Sequence, residues 1–393
     1  MREAVASAGQ HRDAVIVGAG IGGLAAAIAL SRTGWRVRVL ERAASPRELG
    51  FALLLAPNAV HALRHLGVAD AVLAGGHIAT DGEMRRTDGT VLRRFDLKRV
   101  RDLLPEPTVT VLRPVLHGAL LDATPAGALM LGSEVIGLAA SDDGVDVTLA
   151  GGGTLCADLV VGADGVGSVV RGLLHPEEAP PRASGLFGLR GVAHGVVTHM
   201  GTSSGAQYFG RGVEAGLGRA GSDTVYWYVS LPRAVATHAE MNPQRVLEQL
   251  APQFEHRFRA IVTATRPDDM RLDELFDREP LAEWGHGRVT LLGDAAHPML
   301  PHAGQGAAQA LEDAVALGRA FDAPGDVAAA LRGYERGRGT RTTEVMKLAR
   351  RNARMGSVDS AFGCWLRETA IRLIPERVIL RRLVALGRPP DDL

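Results

Sequence analysis

Thiols, lysines, net charge and long apolar runs are scarce or missing in this chain. Cys156 and Cys364 are its two cysteines, far apart in 393 residues and in unlike contexts. Neither a disulfide framework nor a zinc site is expected, and no metal. No run of about 18 apolar residues exists to span a membrane. The N-terminal MREAVASAGQHRD lacks the apolar core of a signal peptide. Lys+Arg and Asp+Glu both number 44, so the formal charge is zero and no basic field is available for nucleic acid or an anionic membrane. Lys98 and Lys347 are the only lysines. With 46% hydrophobic and 22% charged residues and no internal repeat, the expectation is a cytoplasmic globular protein of two domains or one large composite one, monomeric or homodimeric.

What is present begins at residues 13–42, DAVIVGAGIGGLAAAIALSRTGWRVRVLER. Ala14 to Val17 reads as a buried strand. Gly18-Ala19-Gly20-Ile21-Gly22-Gly23 fits G-x-G-x-x-G, and an alanine-rich helix runs from Leu24 to Arg32. A second strand ends at Glu41-Arg42. Gly18 permits the tight turn, Gly20 lets a pyrophosphate approach the backbone, and Gly23 lets the helix pack closely on the strand. Glu41, 23 residues beyond Gly18, can accept hydrogen bonds from a ribose. FAD and NAD both satisfy this motif.

Two further acids follow apolar strands. DLVVGADGVGSVVR (158–171) places Asp164 after Leu159–Val161, with a short helix to Arg171. LLGDAAHPMLPHAGQGAAQALEDA (291–314) places Gly293-Asp294 after a strand and opens a helix near Gly304. FAD has a chemical group for each feature. Glu41 suits the adenosine ribose, and Gly20 with Asp294 the pyrophosphate and ribityl portion. The amides of Gly304, Gln305, Gly306 and Ala307 suit the flavin N1–C2=O edge, which becomes anionic on reduction.

On GAGIGG with Glu41-Arg42, Arg113-Pro114-Val115-Leu116, GADGVGSVVR and GDAAHPMLPHAGQG, the chain resembles the single-component FAD-dependent aromatic hydroxylases, which include salicylate, urate and para-hydroxybenzoate hydroxylases. The resemblance implies that Arg113 contacts the flavin, that Asp164 lies in a motif serving both FAD and NAD(P)H, and that Asp294 binds the ribityl chain. Pro301 would line the substrate side through its backbone. Arg47 is a candidate pyrophosphate contact. Gly167 and Ala308 stand where many members carry a larger polar residue and an asparagine. The implied activity is NADH- or NADPH-dependent insertion of one atom of O2, through a C4a-hydroperoxyflavin, into an aromatic, polyketide-like or other electron-rich small molecule. Alternatives are an epoxidase, or a reductase or oxidase of the same fold. A flavin halogenase needs a lysine near the flavin, and Lys98 in DLKRV lacks the expected Gly-Trp context.

The expected fold class is α/β. A discontinuous Rossmann-like FAD-binding domain (1–80, 100–175 and 281–340) carries an inserted antiparallel β-sheet substrate domain (81–99 and 176–280) and C-terminal helices (341–393). GLFGLRGVAHG, AQYFGRGVEAGLG and TVYWYVSLP read as adjacent antiparallel strands. In VYWYVSL, Val225, Trp227, Val229 and Leu231 share one face, and Tyr226 and Tyr228 the other. Residues 242–262 read as one amphipathic helix, and the chain after Tyr334 as helical with its apolar face packed. Tyr226, Tyr228, Arg190, Pro301 and His302 are the substrate-side candidates; His297 is expected to hold its loop.

Overall fold

The computed structural model describes residues 12–45, 51–141 and 144–390; the expectation for Arg47 lies outside them. Five parallel strands form the central sheet, in the order Val289–Leu291, Leu159–Gly162, Asp13–Val17, Arg36–Glu41, Leu129–Leu131. The strand Ala14–Val17 is apolar on both sides because both faces are covered, each residue being at most 6% exposed. The registers pair Val17 with Leu40 and Gly162, and Gly162 with Leu291. The Gly18 turn, Glu41, Asp164 and Asp294 therefore all lie at or just beyond one carboxyl edge, where ligands bind in open parallel sheets.

Helices Ile21–Arg32 and Gly306–Arg319 pack together on this sheet. Small residues make that approach possible. A Cβ on Gly22 would come within 2.7 Å of Leu292 Cδ2, and one on Gly318 within 3.0 Å of Ala29 Cβ.

The second large sheet has seven strands, ordered Met270–Asp277, Arg182–His194, Thr224–Pro232, Glu214–Arg219, Gly205–Phe209, Asp81–Arg86, Val91–Asp96. Its neighbours are antiparallel except Gly205–Phe209 with Asp81–Arg86. AQYFGRGVEAGLG is two strands joined at Gly210–Val213 rather than one, because Gly212 takes a left-handed turn at φ 69°. Val225, Trp227, Val229 and Leu231 are at most 1% exposed and form the core face with Phe254, Phe258, Ile261 and Val262. The expected helix over 242–262 is divided into Pro243–Leu250, a 3-10 turn at Ala251–Gln253, and His256–Thr263. Pro252 removes a backbone donor and clashes with the preceding turn.

Two corrections concern the C-terminal region. A 30-residue helix starts at Val327, not after Tyr334, capped by Asp326, whose carboxylate accepts from Ala329 N at 2.7 Å. Helix Ala361–Leu373 follows, and Pro375 separates it from Glu376–Gly387. Its apolar stripe is not packed: Phe362, Trp365, Leu366 and Leu373 are 71%, 58%, 53% and 74% exposed. The opposite face is buried instead, through Arg367 on Gly210 O and Glu368 on Arg86. No helix among the described residues is long and apolar enough to cross a membrane, and no group of metal-ligating side chains occurs among them.

Trp227 is wholly buried and its indole donates to Thr265 Oγ1 at 2.8 Å. Trp227→Ala should cost about 3–5 kcal/mol, measured by urea unfolding; a loss below about 1 kcal/mol would refute this packing.

Candidate active site

The glycine turn is fixed by close approach. Gly18 has φ 103°, and a Cβ there would sit 2.6 Å from Ala163 O; a Cβ on Gly23 would sit 1.9 Å from Gly18 O. Around Gly20 nothing lies within 4 Å of a Cβ position, so the open side of the turn is a cradle a ligand can enter. Ile21 is buried at the start of the helix. Glu41 accepts from Ala19 N at 3.0 Å and Ala43 N at 2.9 Å, which holds its carboxylate against the turn. Arg42 is exposed beside it. Asp164 is committed locally: Ser168 Oγ donates to one oxygen, and Val169 N (2.7 Å) and Val170 N (3.2 Å) to the other. Its carboxylate is committed to the first amides of the short helix Val169–Leu174, which Ser168 caps, rather than projecting free.

The turn after Leu292 is clamped from two directions. Asp313 accepts from Gly293 N at 3.0 Å and bonds the His297 ring. From the other side the buried Arg171 donates to Ala295 O and Ala296 O, both at 2.9 Å. Arg338 completes the clamp, donating to Asp313 at 2.7 Å and to Glu312 at 2.6 Å. Glu312 and Gln305 also share Asn58. Gln305 is 2% exposed, its side-chain oxygen accepting from Asn58 and Gln309. Every residue from Val289 to Pro298 is buried except Asp294. His297 thus holds the loop, as its position in the turn suggests.

Asp294 is exposed, yet enough protein surrounds it for burial to push its carboxyl pKa up. Arg113, also exposed, has its pKa lowered by burial, with Asp294 opposing and Arg190 and Arg271 adding to the shift. These mutual influences place Asp294, Arg113, Arg190 and Arg271 about one region, the candidate recess. Arg113 has no side-chain partner among the described residues. A Cβ on Gly306 would lie 4.0 Å from Asp294 Oδ1, so the helix N-terminus shares the recess. That helix begins at Gly306; Gly304 is exposed in the left-handed region (φ 63°), and Ala307 is partly buried.

The outer face of the seven-stranded sheet supplies the remaining candidates. Arg190 donates to Asp273 at 2.7 Å, and Arg271 donates to the same oxygen at 2.8 Å. Arg190 is therefore held in an ion pair rather than left free for a substrate. Tyr226 and Tyr228 stack at 6.3 Å. Burial pushes the Tyr226 hydroxyl up to about 12 and the Tyr228 hydroxyl well above its ordinary value. The His302 ring bonds Ser230 Oγ at 2.9 Å, its carbonyl accepts from Asn352 at 3.0 Å, and Pro301 beside it is exposed. Burial lowers His302 to about 4, so it is neutral near pH 7.

A glycine cradle, a strand-end acid and an aspartate on a clamped turn, all on one carboxyl edge, define a dinucleotide-binding site. A profile described as FAD binding domain matches residues 11–349. The chain is 32% identical over 362 residues to the aurachin C monooxygenase/isomerase of Stigmatella aurantiaca, covering 92% of this chain and 94% of that one. It is 36% identical over 352 residues to the 3-amino-4-hydroxybenzoate 2-monooxygenase of Streptomyces cremeus, covering 86% of each. Klebsiella pneumoniae HpxO complexed with FAD and uric acid superposes with a TM-score of 0.87 at 26% identity, over 96% of each chain. The chain belongs to the FAD-dependent aromatic hydroxylases; it is a flavoprotein monooxygenase.

Sequence reasoning missed Asn58, Glu312, Asp313, Arg338 and Glu214. The one available signal was Glu312-Asp313, two acids inside an otherwise apolar helix. Their partner Arg338 is one arginine among many, and nothing in the sequence singles it out.

Two pH effects follow. Burial raises the Asp313 pKa, but His297 and Arg338 outweigh it and hold the carboxyl down to about 2, against 3.8 ordinarily. Its stabilisation is present above 3.8 and is lost as pH falls towards 2; Asp313→Asn should lose that acid limb and be less stable near pH 7. His302 is depressed below its usual 6.5, so its contribution is present above 6.5 and is lost as pH falls towards 4. His302→Gln should flatten the thermal midpoint between those values, and an unchanged slope would contradict it.

Proposed function

We propose that the chain hydroxylates an electron-rich aromatic molecule, consuming O2 and NADH or NADPH and releasing water. The observation that carries this reading is the clamped turn that leaves Asp294 alone facing the recess, opposite a polar sheet face. FAD held by these residues would supply the redox chemistry that links nicotinamide oxidation to the use of O2. In this reading Gly18, Gly20, Ile21, Gly22 and Gly23 present a helix N-terminus to the pyrophosphate. Glu41 and Arg42 flank the adenosine ribose. Gly293 carries the turn that aims Asp294 at the ribityl hydroxyls, and Arg113 faces the ring. The backbone of Gly304, Gln305, Gly306 and Ala307 stabilises negative charge at the pyrimidine edge. Asp164 acts by shaping its turn.

Residues 1–80, 100–175 and 281–340 would thus hold FAD, and 81–99 and 176–280 the substrate. Pro301 and His302 form the substrate-side lip, with neutral His302 tying it to Ser230. Tyr226 and Tyr228 stay un-ionised at neutral pH and act as hydrogen-bonding groups. Arg190, with Arg271 and Asp273, leaves one net positive charge near the recess. Similar proteins include a 3-amino-4-hydroxybenzoate 2-monooxygenase, a 3-hydroxybenzoate 6-hydroxylase and a 6-hydroxynicotinate 3-monooxygenase, which supports a hydroxylated or aminated aromatic ring as substrate.

The test follows NADH and NADPH oxidation by the yellow holoenzyme against such compounds, with mass analysis of the product. One compound accelerating oxidation and gaining one oxygen supports the reading; oxidation yielding only hydrogen peroxide with every compound refutes it. Asp294→Ala should weaken FAD binding at least about tenfold, the scale of one hydrogen bond to a charged group. Unchanged affinity would remove Asp294 from its role.

A further inference from the structure

One buried acid has no part in the reading above. Glu214 is 3% exposed, on the strand Glu214–Arg219 beside Thr224–Pro232. The register sets Glu214 opposite Ser230 and Gly216 opposite Tyr228, so Glu214 shares the sheet face of both tyrosines. Gly216 makes room for the Tyr228 ring, since a Cβ there would lie 2.3 Å from Tyr228 Cε1. With Tyr226 stacked beside it, the Tyr228 ring has one place to lie.

The carboxyl group treats its two oxygens unequally. Oε1 accepts from Gln207 Nε2 at 2.9 Å and from the Tyr228 hydroxyl at 3.0 Å. Oε2 is buried with no hydrogen-bond partner and faces Gly356, where a Cβ would sit 2.2 Å from it. An oxygen already accepting two donors is not the one that carries a proton. If Glu214 is protonated, the proton sits on Oε2, and Oε1 accepts in either state. Burial pushes the Glu214 pKa up while Gln207 and Tyr228 pull it back. A neutral acid also tolerates an unpartnered Oε2 better than a carboxylate does.

We propose that Glu214 is a positioning residue that commits the Tyr228 hydroxyl proton. Tyr228 then meets the substrate only as a hydrogen-bond acceptor, and the ring substituent facing it is an O–H or N–H donor. This rests on the functional reading above, in which the outer sheet face is the substrate wall. Aromatic hydroxyl and amino groups release electrons into the ring, so one substituent would satisfy Tyr228 and activate the carbon to be oxygenated. An ether or carbonyl oxygen at that edge would face lone pair to lone pair, a mismatch expected to weaken binding about ten- to hundredfold.

The test has two arms, with Glu214→Gln and Glu214→Leu compared in each. Gln keeps the Oε1 acceptor; Leu removes it and frees the Tyr228 proton. In the first arm the protein carries [ζ-13C]tyrosine, with Tyr228 assigned by Tyr228→Phe. Its resonance should move in Glu214→Leu and stay near wild type in Glu214→Gln. A Tyr228 signal indifferent to Glu214→Leu overturns the proposal without any ligand. In the second arm, 3-hydroxybenzoate, 3-aminobenzoate and 3-methoxybenzoate are titrated into FAD-loaded enzyme and followed by the flavin absorption shift. Wild type and Glu214→Gln should prefer hydroxy and amino over methoxy at least tenfold, and Glu214→Leu should fall below about threefold. Equal binding of all three by wild type, or a Glu214→Gln that behaves like Glu214→Leu, overturns it. A protein that takes up no FAD would defeat the functional reading instead, and the first arm would still decide the commitment of Tyr228.

Discussion

The carboxylate of Asp313 is the constraint on which the site depends. One buried side chain takes the Gly293 amide, the His297 ring and the Arg338 guanidinium. It thereby fixes a turn whose single outward side chain is Asp294. Burying this much charge is costly unless every member is paired, and removing one partner of such a set typically costs about 3–5 kcal/mol. Glu312 pairs with Arg338, Asn58 donates to Glu312, and Arg171 holds the carbonyls of the turn, from three separate elements. The turn is therefore held by the tertiary fold and not by its own sequence.

The two sheets divide the work according to what surrounds them. The inner strands of the parallel sheet, Ala14–Val17 and Leu159–Gly162, are buried and apolar, while Arg36–Glu41 alternates arginine with apolar residues, and the acids of the site sit at the carboxyl edge. The seven-stranded sheet keeps one face for its core and one for the recess. Alternation along Thr224–Pro232 places Trp227 and Tyr228 on opposite sides of one strand. His302 joins the two systems, since it belongs to the loop before Gly306–Arg319 but bonds Ser230 on the sheet.

The motifs whose chemistry is local were legible in the sequence. Glycine spacing, the strand-end acids and the alternation of 225–231 each depend on neighbours within about four residues, and the fold class followed from their order. Interactions across long separations were not legible. Arg338 lies 25 residues from Asp313, and Asn58 lies 254 from Glu312; sequence periodicity carries no information on either. Arg190 was placed on the correct strand, but its pairing with Asp273, 83 residues on, could be seen only in the sheet register. The helix expected over 242–262 failed for a local reason that was readable, Pro252, whereas the exposed stripe at Phe362 and Trp365 failed because charged residues buried the opposite face.

A structure of the FAD complex tests the central claim most directly. The account predicts FAD along the carboxyl edge of the parallel sheet, with an Asp294 oxygen about 2.5–3.0 Å from a ribityl hydroxyl. The Asp313 bonds to Gly293, His297 and Arg338 should be unchanged. FAD bound elsewhere, or a turn that must abandon Asp313 before Asp294 can reach the ligand, would contradict it.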